Sequence, residues 1–195
     1  MAQLSAEPRS LHFPLLESVV VLADAAMQAR EPHRIVAALV EGLRNLLPNT
    51  GALPHDLLRP DPSGYARHEL YRSPLHGYQV LAMTWGPGQG SSVHDHGDTW
   101  GVEAVLRGRL EVLDYRVIRH ARGLAHLRVG DRHLLEDGRV IGLLPPHDLH
   151  ACRNSGVRDT AVTLHIYGTP LEEVRRYIHV EDELYRPERV QLTSH

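Results

Sequence analysis

Three histidines are the residues whose type and spacing point most directly to chemistry. His94 and His96 lie two positions apart in a segment whose sequence is typical of an extended strand. Successive side chains of a strand point to opposite faces, so the two imidazoles share a face. His150 follows much later, in the stretch 145–154. Two imidazoles from one strand and a third from a distant strand can hold one metal ion and leave positions open for a reacting molecule. The sequence therefore predicts a metal centre, with His147 competing for the third position.

The elements that must position these histidines fall into two parts with different apolar patterns. Residues 14–47 show the periodicity of two helices, and Pro32 suits the first turn of the second helix. Prolines and glycines in 49–64 predict a loop that leads into the second part. We therefore expect the segment 1–60 to be helical and to pack against the outside of the second part.

From residue 65 onward the pattern changes to short extended runs separated by glycine and proline turns. The runs that predict strands are 78–84, 100–106, 110–115, 140–144 and 160–167. Many short strands with regular turns favour a mainly β fold, a sandwich or barrel of jelly-roll type. We expect one domain over 1–195, with the barrel in 65–170. The C-terminal tail, 171–195, is predicted to begin with a short helix at 171–177 and then to be irregular.

Composition and charge narrow the classes of function. A formal charge of −3 gives little attraction for a polyanion, so nucleic-acid binding loses weight. Cys152 is the single cysteine, which excludes an intrachain disulfide and fits a reducing cytoplasm. The N-terminus shows no cleavable apolar core, and the apolar run 15–22 is too short and interrupted to cross a bilayer. We therefore expect a cytoplasmic protein without membrane or nucleic-acid partners.

The spacing around the first two histidines resembles the first sequence motif of the cupin superfamily. Gly88, His94, His96, Gly101 and Gly108 occupy the motif positions, and Gly101 stands where a cupin usually has a glutamate. This resemblance implies a cupin barrel and a metal site that lacks its usual carboxylate. The ligand set then depends on the third histidine.

The later segments extend the resemblance to a narrower family. Pro145, His150 and Asn154 are similar to the second cupin motif, and the Asn154 spacing favours His150 over His147. With the segments 85–96 and 163–167, this pattern resembles the thiol dioxygenases, the cysteine dioxygenase family that includes bacterial 3-mercaptopropionate dioxygenases. The resemblance runs from about residue 65 to 167. It implies that His94, His96 and His150 bind Fe(II) and that the product is a sulfinic acid.

A ligand set of three imidazoles suits that chemistry. Three neutral imidazoles leave Fe(II) its full double charge, which a carboxylate ligand would partly neutralise. Such a metal accepts a thiolate, lowers the thiol pKa and keeps open positions for O2. Holding the two reactants side by side supplies much of the catalysis.

The segment 163–167 provides a second group of site residues. Thr163, His165 and Tyr167 alternate along a strand and share a face. The resemblance implies a hydrogen-bonded row in which Thr163 orients His165, and His165 orients Tyr167 toward the iron pocket. The mammalian enzymes crosslink this tyrosine to a cysteine at the position held here by Gly101. Because Cys152 does not fit that position, we expect an uncrosslinked Tyr167; the roles of Cys152 and His147 stay open.

The substrate carboxylate requires a cation, and the planar fork of arginine suits it. Arg67 aligns with the carboxylate-binding arginine of cysteine dioxygenases, although the alignment could slip toward Arg72. Arg176, nine residues past Tyr167, resembles an arginine of the mercaptopropionate enzymes. Arg67 is the favoured clamp, and the sequence does not choose between cysteine and 3-mercaptopropionate as substrate.

The resulting hypothesis is a non-haem Fe(II) thiol dioxygenase that acts on a small thiol carboxylate and O2, as a monomer or weak homo-oligomer. One alternative is a cupin dioxygenase or isomerase that uses the same histidines on a carbon substrate. Another is a metal-binding cupin sensor without catalysis, against which the row of Thr163, His165 and Tyr167 argues.

Overall fold

The computed structural model describes residues 13–192, and most of its regular structure is β-strand. Two α-helices precede the strands, α1 (Pro14–Ala26) and α2 (Pro32–Leu46), with short 3₁₀ turns at Met27–Ala29, Leu47–Asn49 and His55–Leu58. The strands in chain order are β1 (Ala66–Arg72), β2 (Gln79–Trp85), β3 (Val93–His94), β4 (Gly101–Arg107), β5 (Arg109–Ala121), β6 (Leu124–Glu136), β7 (Val140–Leu143), β8 (His150–Asn154), β9 (Ala161–Tyr167), β10 (Glu173–Glu181) and β11 (Leu184–Gln191). The predicted mainly β fold with N-terminal helices is confirmed. The predicted segments 1–60 and 171–195 extend into residues 1–12 and 193–195, which lie outside the described residues.

The two helices form because each begins at a proline and carries one apolar face. Pro14 and Pro32 occupy the first turns, where a missing N–H costs no hydrogen bond. The apolar face of α2, which includes Leu39 and Leu43, is fully buried. At Gly142 of β7 a Cβ atom would overlap Val36, so glycine allows α2 to lie directly on the sheet. None of the helices described within 13–192 is long and apolar enough to span a bilayer.

The first sheet is antiparallel, with the strand order β1-β2-β9-β4-β7. All seven residues of β2 and all seven of β9 are buried. Alternate residues of β9 therefore serve two different environments. Val162, Leu164 and Ile166 pack into the cluster that contains the helices. Tyr167 faces the other way, toward the interior between the sheets.

The second sheet closes on itself in the order β10-β11-β6-β5-β8-β3, and β3 pairs with β10. The predicted helix at 171–177 is wrong, because β10 starts at Glu173 and pairs with both β11 and β3. Leu171, Val174 and Tyr177 recur at a helical spacing and are all buried. A helix of only about two turns is costly to nucleate, whereas two neighbouring strands satisfy this backbone directly.

The strands β5 and β6 form a hairpin much longer than the predicted strand 110–115. It runs from Arg109 to Glu136, with left-handed Arg122 and Gly123 at the turn. His120, His126 and His133 therefore lie on the two strands of this hairpin.

Candidate metal centre

The fold brings the three predicted histidines together at the end of the second sheet. His94 on β3 lies directly opposite His150, the first residue of β8, and His96 follows two residues after His94. The three ring centroids are 4.9 to 5.1 Å apart. One nitrogen from each ring lies within 4.8 Å of the others, which is a suitable separation for three ligands of one metal ion.

Hydrogen bonds to the outer nitrogens orient two of these rings. His96 donates from Nδ1 to Oδ2 of Asp148 over 3.0 Å, and His94 donates from Nδ1 to the carbonyl oxygen of Ser92 over 3.0 Å. Each Nε2 is left with a free lone pair, as in metal sites where an outer partner fixes the tautomer. Asp148 is not among the residues predicted from the sequence; its position two residues before His150 was the available signal.

The inner nitrogens fit a metal ion. The Nε2 of His96 and both ring nitrogens of His150 are buried without a hydrogen-bond partner among residues 13–192. Desolvation lowers the pKa of His94 to about 4 and that of His150 to about 3, so both rings are neutral at physiological pH. Neutral imidazole is the metal-binding form, and an unsatisfied buried polar atom is otherwise costly. His147, the competing third ligand, is exposed.

Asn154 at the end of the second motif has a structural role. Its Nδ2 donates to the carbonyl oxygens of Trp85, Gly86 and Asp159, and its Oδ1 accepts from the amide of Gly156. The side chain thus ties β8 to the end of β2, which holds the strand that begins with His150.

The row along β9 forms a chain of hydrogen bonds with a defined direction. The indole N–H of Trp85 only donates, and it donates to Oγ1 of Thr163 over 2.9 Å. Thr163 in turn donates its hydroxyl proton to Nε2 of His165 over 2.7 Å, which places the proton of the imidazole on Nδ1. That Nδ1–H faces the hydroxyl oxygen of Tyr167 at 3.1 Å. The hydroxyl proton of Tyr167 is therefore directed away from the row. Burial raises the pKa of this hydroxyl well above its ordinary value.

A buried carboxylate that was not predicted from the sequence lies beside the three histidines. Glu103 is 2% exposed, and its Oε1 lies 3.2 Å from Nδ1 of His165 and 3.5 Å from Nε2 of His150. Burial by itself raises the pKa of the Glu103 carboxyl. The contacts with His150 and His165 outweigh burial and hold this pKa well below its usual range. The motif position is indeed Gly101, but the glutamate two residues later shares its face, since strand side chains alternate. The ligand set of three histidines stays a prediction, and Glu103 adds a buried carboxylate beside it.

Gly101 lies directly opposite Tyr167 in the pairing of β4 with β9. A Cβ atom at this position would lie 3.0 Å from two carbons of the Tyr167 ring, so glycine permits the close approach. Cys152 is buried elsewhere, with its Sγ 3.9 Å from Oε2 of Glu103. Burial, reinforced by that carboxylate, raises the pKa of the Cys152 thiol well above its ordinary value.

A cavity of about 310 Å³ opens beside the histidines and contains both predicted arginines. Its lining includes Arg67, His94, Glu103, Cys152, Tyr167 and Arg176. Its volume lies at the small end of the range for ligand sites, which suits a small substrate. The site residues proposed from the sequence thus line this cavity or belong to the histidine cluster beside it, except Thr163, which is connected to them through His165.

The two arginines differ in their surroundings. Arg67 is 6% exposed, and its Nη2 donates to the carbonyl oxygen of Leu171 over 2.7 Å. Arg176 has a half-exposed side chain and donates from Nη2 to Oε2 of Glu188 over 3.3 Å. Arg176 also lies directly opposite His94 in the pairing of β10 with β3. Burial lowers the pKa of Arg67, which remains a cation at physiological pH.

Comparisons with known proteins show which family this chain is similar to. The family model described as cysteine dioxygenase type I matches residues 25–180. A Danio rerio protein named cysteine dioxygenase type 1 is 24% identical over 147 residues, which cover 71% of this chain and 69% of that protein. Among solved structures, a cupin 2 domain-containing protein from Halorhodospira halophila is similar over 67% of this chain and 74% of its own, with 20% identity and a TM-score of 0.42. An oxalate oxidase in complex with glycolate covers 56% of this chain and 53% of its own, with 17% identity and a TM-score of 0.44.

Proposed function

Because the chain belongs to the cysteine dioxygenase type I family, we propose that it is a non-haem Fe(II) thiol dioxygenase. It would convert a small thiol carboxylate, cysteine or 3-mercaptopropionate, and O2 into the sulfinic acid. The observation that carries this proposal is the histidine cluster, whose free inner nitrogens lie beside a cavity that also contains a buried arginine. Family membership does not favour a carbon substrate or a sensor without catalysis.

The reaction balances without a further reductant. The thiol sulfur gives up four electrons, O2 accepts them, and both oxygen atoms end on sulfur. Iron held by His94, His96 and His150 would supply the redox chemistry that allows O2 to react with a thiolate. The protein's own part is to bind, orient and desolvate the substrate beside that centre.

Arg67 is the proposed clamp for the substrate carboxylate. Its guanidinium is buried at the cavity, where Nη2 donates to the carbonyl oxygen of Leu171 over 2.7 Å and to Oε1 of Gln79 over 3.4 Å. A carboxylate paired with this cation away from water forms a strong charge-assisted hydrogen bond. Arg176 is the second candidate, since its place opposite His94 brings it close to the same centre.

Tyr167 is the proposed donor to the reacting end of the substrate. The direction of the hydrogen bonds from Trp85 through Thr163 to His165 leaves the phenol proton available for an oxygen in the cavity. The phenol ring stacks on His96 with ring centroids 5.4 Å apart, so the hydroxyl is held beside the metal centre.

The test is thiol-dependent consumption of O2 by protein loaded with one iron per chain. We expect one O2 consumed per thiol and a sulfinic acid detected by mass spectrometry with cysteine or with 3-mercaptopropionate. If iron-loaded protein consumes O2 with neither thiol, the proposal fails. Thiol-independent turnover of a carbon substrate would support the alternative enzyme instead.

Matched variants then separate the two arginines. We expect Arg67→Gln to raise the KM for the thiol carboxylate about 10- to 100-fold, because a charge-assisted contact is lost. Arg176→Gln should have the smaller effect, since Glu188 already neutralises that cation. The opposite order would assign the clamp to Arg176.

The remaining expectations also stand as proposals. The partners would be the thiol and O2 alone, without nucleic acid or membrane, and the protein would act as a monomer or weak homo-oligomer. The cytoplasm is the proposed location, because its reducing conditions suit a protein with the single, free Cys152.

A further inference from the structure

We propose that Glu103 contacts the substrate and selects thiols that carry a cationic nitrogen. This inference rests on the proposed function and goes beyond it, because it separates the two candidate substrates. Cysteine and 3-mercaptopropionate share a thiol and a carboxylate, but only cysteine has an ammonium group. A specificity contact for the ammonium must therefore be an acceptor, and a carboxylate is the strongest one.

The position of Glu103 meets that requirement. It lies in the middle of β4, directly opposite His165 on β9, and its side chain lines the cavity. The carboxylate oxygen, His150 and Cys152 form a second potential ligand set. This set shares His150 with the set formed by His94, His96 and His150. Glu103 thus lies at the cavity and next to His150, with 3.5 Å between its Oε1 and Nε2 of that histidine.

The carboxylate also has unused capacity to accept hydrogen bonds. Its Oε1 lies 3.2 Å from Nδ1 of His165 and shares that N–H with the hydroxyl oxygen of Tyr167, while Oε2 has the thiol of Cys152 at 3.9 Å, a weak donor at long distance. A carboxylate has about four acceptor sites, so Oε2 can take further donors. Among residues 13–192, Glu103 has contacts within 4 Å with the rings of His150 and His165, and it forms no salt bridge with a lysine or an arginine.

The cavity therefore contains buried groups of both signs. Arg67 is 6% exposed and Glu103 is 2% exposed, and both line the same cavity of about 310 Å³. A thiol amino acid carries one carboxylate and one ammonium, and it complements this pair of charges. A thiol acid without the amine would leave the Glu103 carboxylate facing apolar methylene groups, which is unfavourable for a buried charge. The site therefore discriminates partly through the penalty that it imposes on the wrong ligand.

The test compares three thiols that differ by one charged group. Cysteine has both groups, 3-mercaptopropionate lacks the amine, and cysteamine lacks the carboxylate. Dissociation constants are measured anaerobically on iron-loaded protein, so that binding is recorded without turnover, and kcat/KM is measured separately in air. The variants are Glu103→Gln, which keeps the size and an acceptor oxygen, and the control Glu111→Gln, which removes a carboxylate on β5 that pairs with Arg132.

We expect wild-type protein to bind cysteine at least about tenfold more tightly than 3-mercaptopropionate. Glu103→Gln should reduce this ratio about 10- to 100-fold and should weaken cysteamine binding similarly, whereas Glu111→Gln should leave the ratio as it is. The wild-type comparison stands even if the variant does not fold, because tighter binding of 3-mercaptopropionate would overturn the proposal.

Two other results would overturn it. The first is an unchanged ratio of the two thiols in folded, iron-loaded Glu103→Gln. The second is a loss of iron affinity in that variant without a change in the ratio, which would assign Glu103 to the metal. Failure of turnover with all three thiols would contradict the proposed dioxygenase activity, while the anaerobic binding ratio would still decide the role of Glu103.

Discussion

Two aspartate–histidine pairs of nearly equal length lie in opposite environments in this protein. Asp148 and His96 are 3.0 Å apart, with side chains 6% and 0% exposed. Asp114 and His133 are 3.1 Å apart on the long hairpin, with side chains 43% and 44% exposed. His133 and Asp114 also form a potential ligand group with Asp131, so both pairs belong to clusters that could hold a cation.

The difference shows that the contact distance alone does not identify a site. At the buried pair, water cannot satisfy the far nitrogen of His96, which has no hydrogen-bond partner among the described residues. Burial raises the pKa of Asp148, but the hydrogen bonds from His96 outweigh it and hold this pKa below the ordinary value. At the exposed pair, water competes for every group, and such pairs contribute about 0–1 kcal/mol. Burial with an unsatisfied inner nitrogen therefore distinguishes the metal centre from the surface cluster.

The largest expected effect comes from removing one histidine of each cluster. His150→Ala should reduce iron affinity by more than the about 10- to 100-fold typical of losing an outer-sphere partner, because a direct ligand is lost. His133→Ala should leave iron affinity unchanged. Iron per chain after gel filtration and titration of the metal-free protein measure both. If His150→Ala retains iron, or if His133→Ala loses it, the assignment of iron to the buried cluster is contradicted.

The next effect concerns the aspartates themselves. Asp148→Asn should weaken iron binding about 10- to 100-fold, because the neutral amide no longer holds the Nδ1–H of His96 as firmly. The matched change Asp114→Asn should have no effect on iron. Equal effects of the two changes would show that burial does not separate the two pairs.

A third prediction extends the comparison to the other buried histidine, His165. Its Nδ1–H faces the Tyr167 hydroxyl, so Tyr167→Phe should lower kcat about 100-fold while leaving iron content intact. The control Tyr78→Phe removes another buried hydroxyl, which donates to Asp24 over 2.8 Å. That change should lower the melting temperature and leave kcat unchanged. A Tyr167→Phe enzyme with wild-type kcat would remove the phenol from the mechanism.

The smallest expected effect is at the exposed pair. A double-mutant cycle on Asp114 and His133 should give a coupling free energy of at most about 1 kcal/mol, which falls further at high salt because the pair is screened. Urea unfolding at two salt concentrations measures this coupling. A salt-independent coupling of several kcal/mol would mean that the hairpin pair is structural after all.

Much of the fold could be predicted from local patterns. The helices α1 and α2 and the strands β2, β4, β7 and β9 appear close to their predicted ranges. The prediction that failed also relied on a local pattern. Leu171, Val174 and Tyr177 recur at a helical spacing, yet pairing with β3 and β11 makes this segment a strand. Contacts with distant segments override such short patterns, because neither partner strand is visible in the local sequence.

The sequence by itself determined that Thr163, His165 and Tyr167 share a face, because the two-residue period of a strand depends on the backbone alone. It also paired His94 with His96, although β3 ends at His94. Only the tertiary structure decided which distant segments meet. It placed His150 opposite His94, Asp148 behind His96, and Glu103 beside His150 and His165. Those contacts depend on strand pairing across long separations, and they give the site the charge that the sequence motif had appeared to remove.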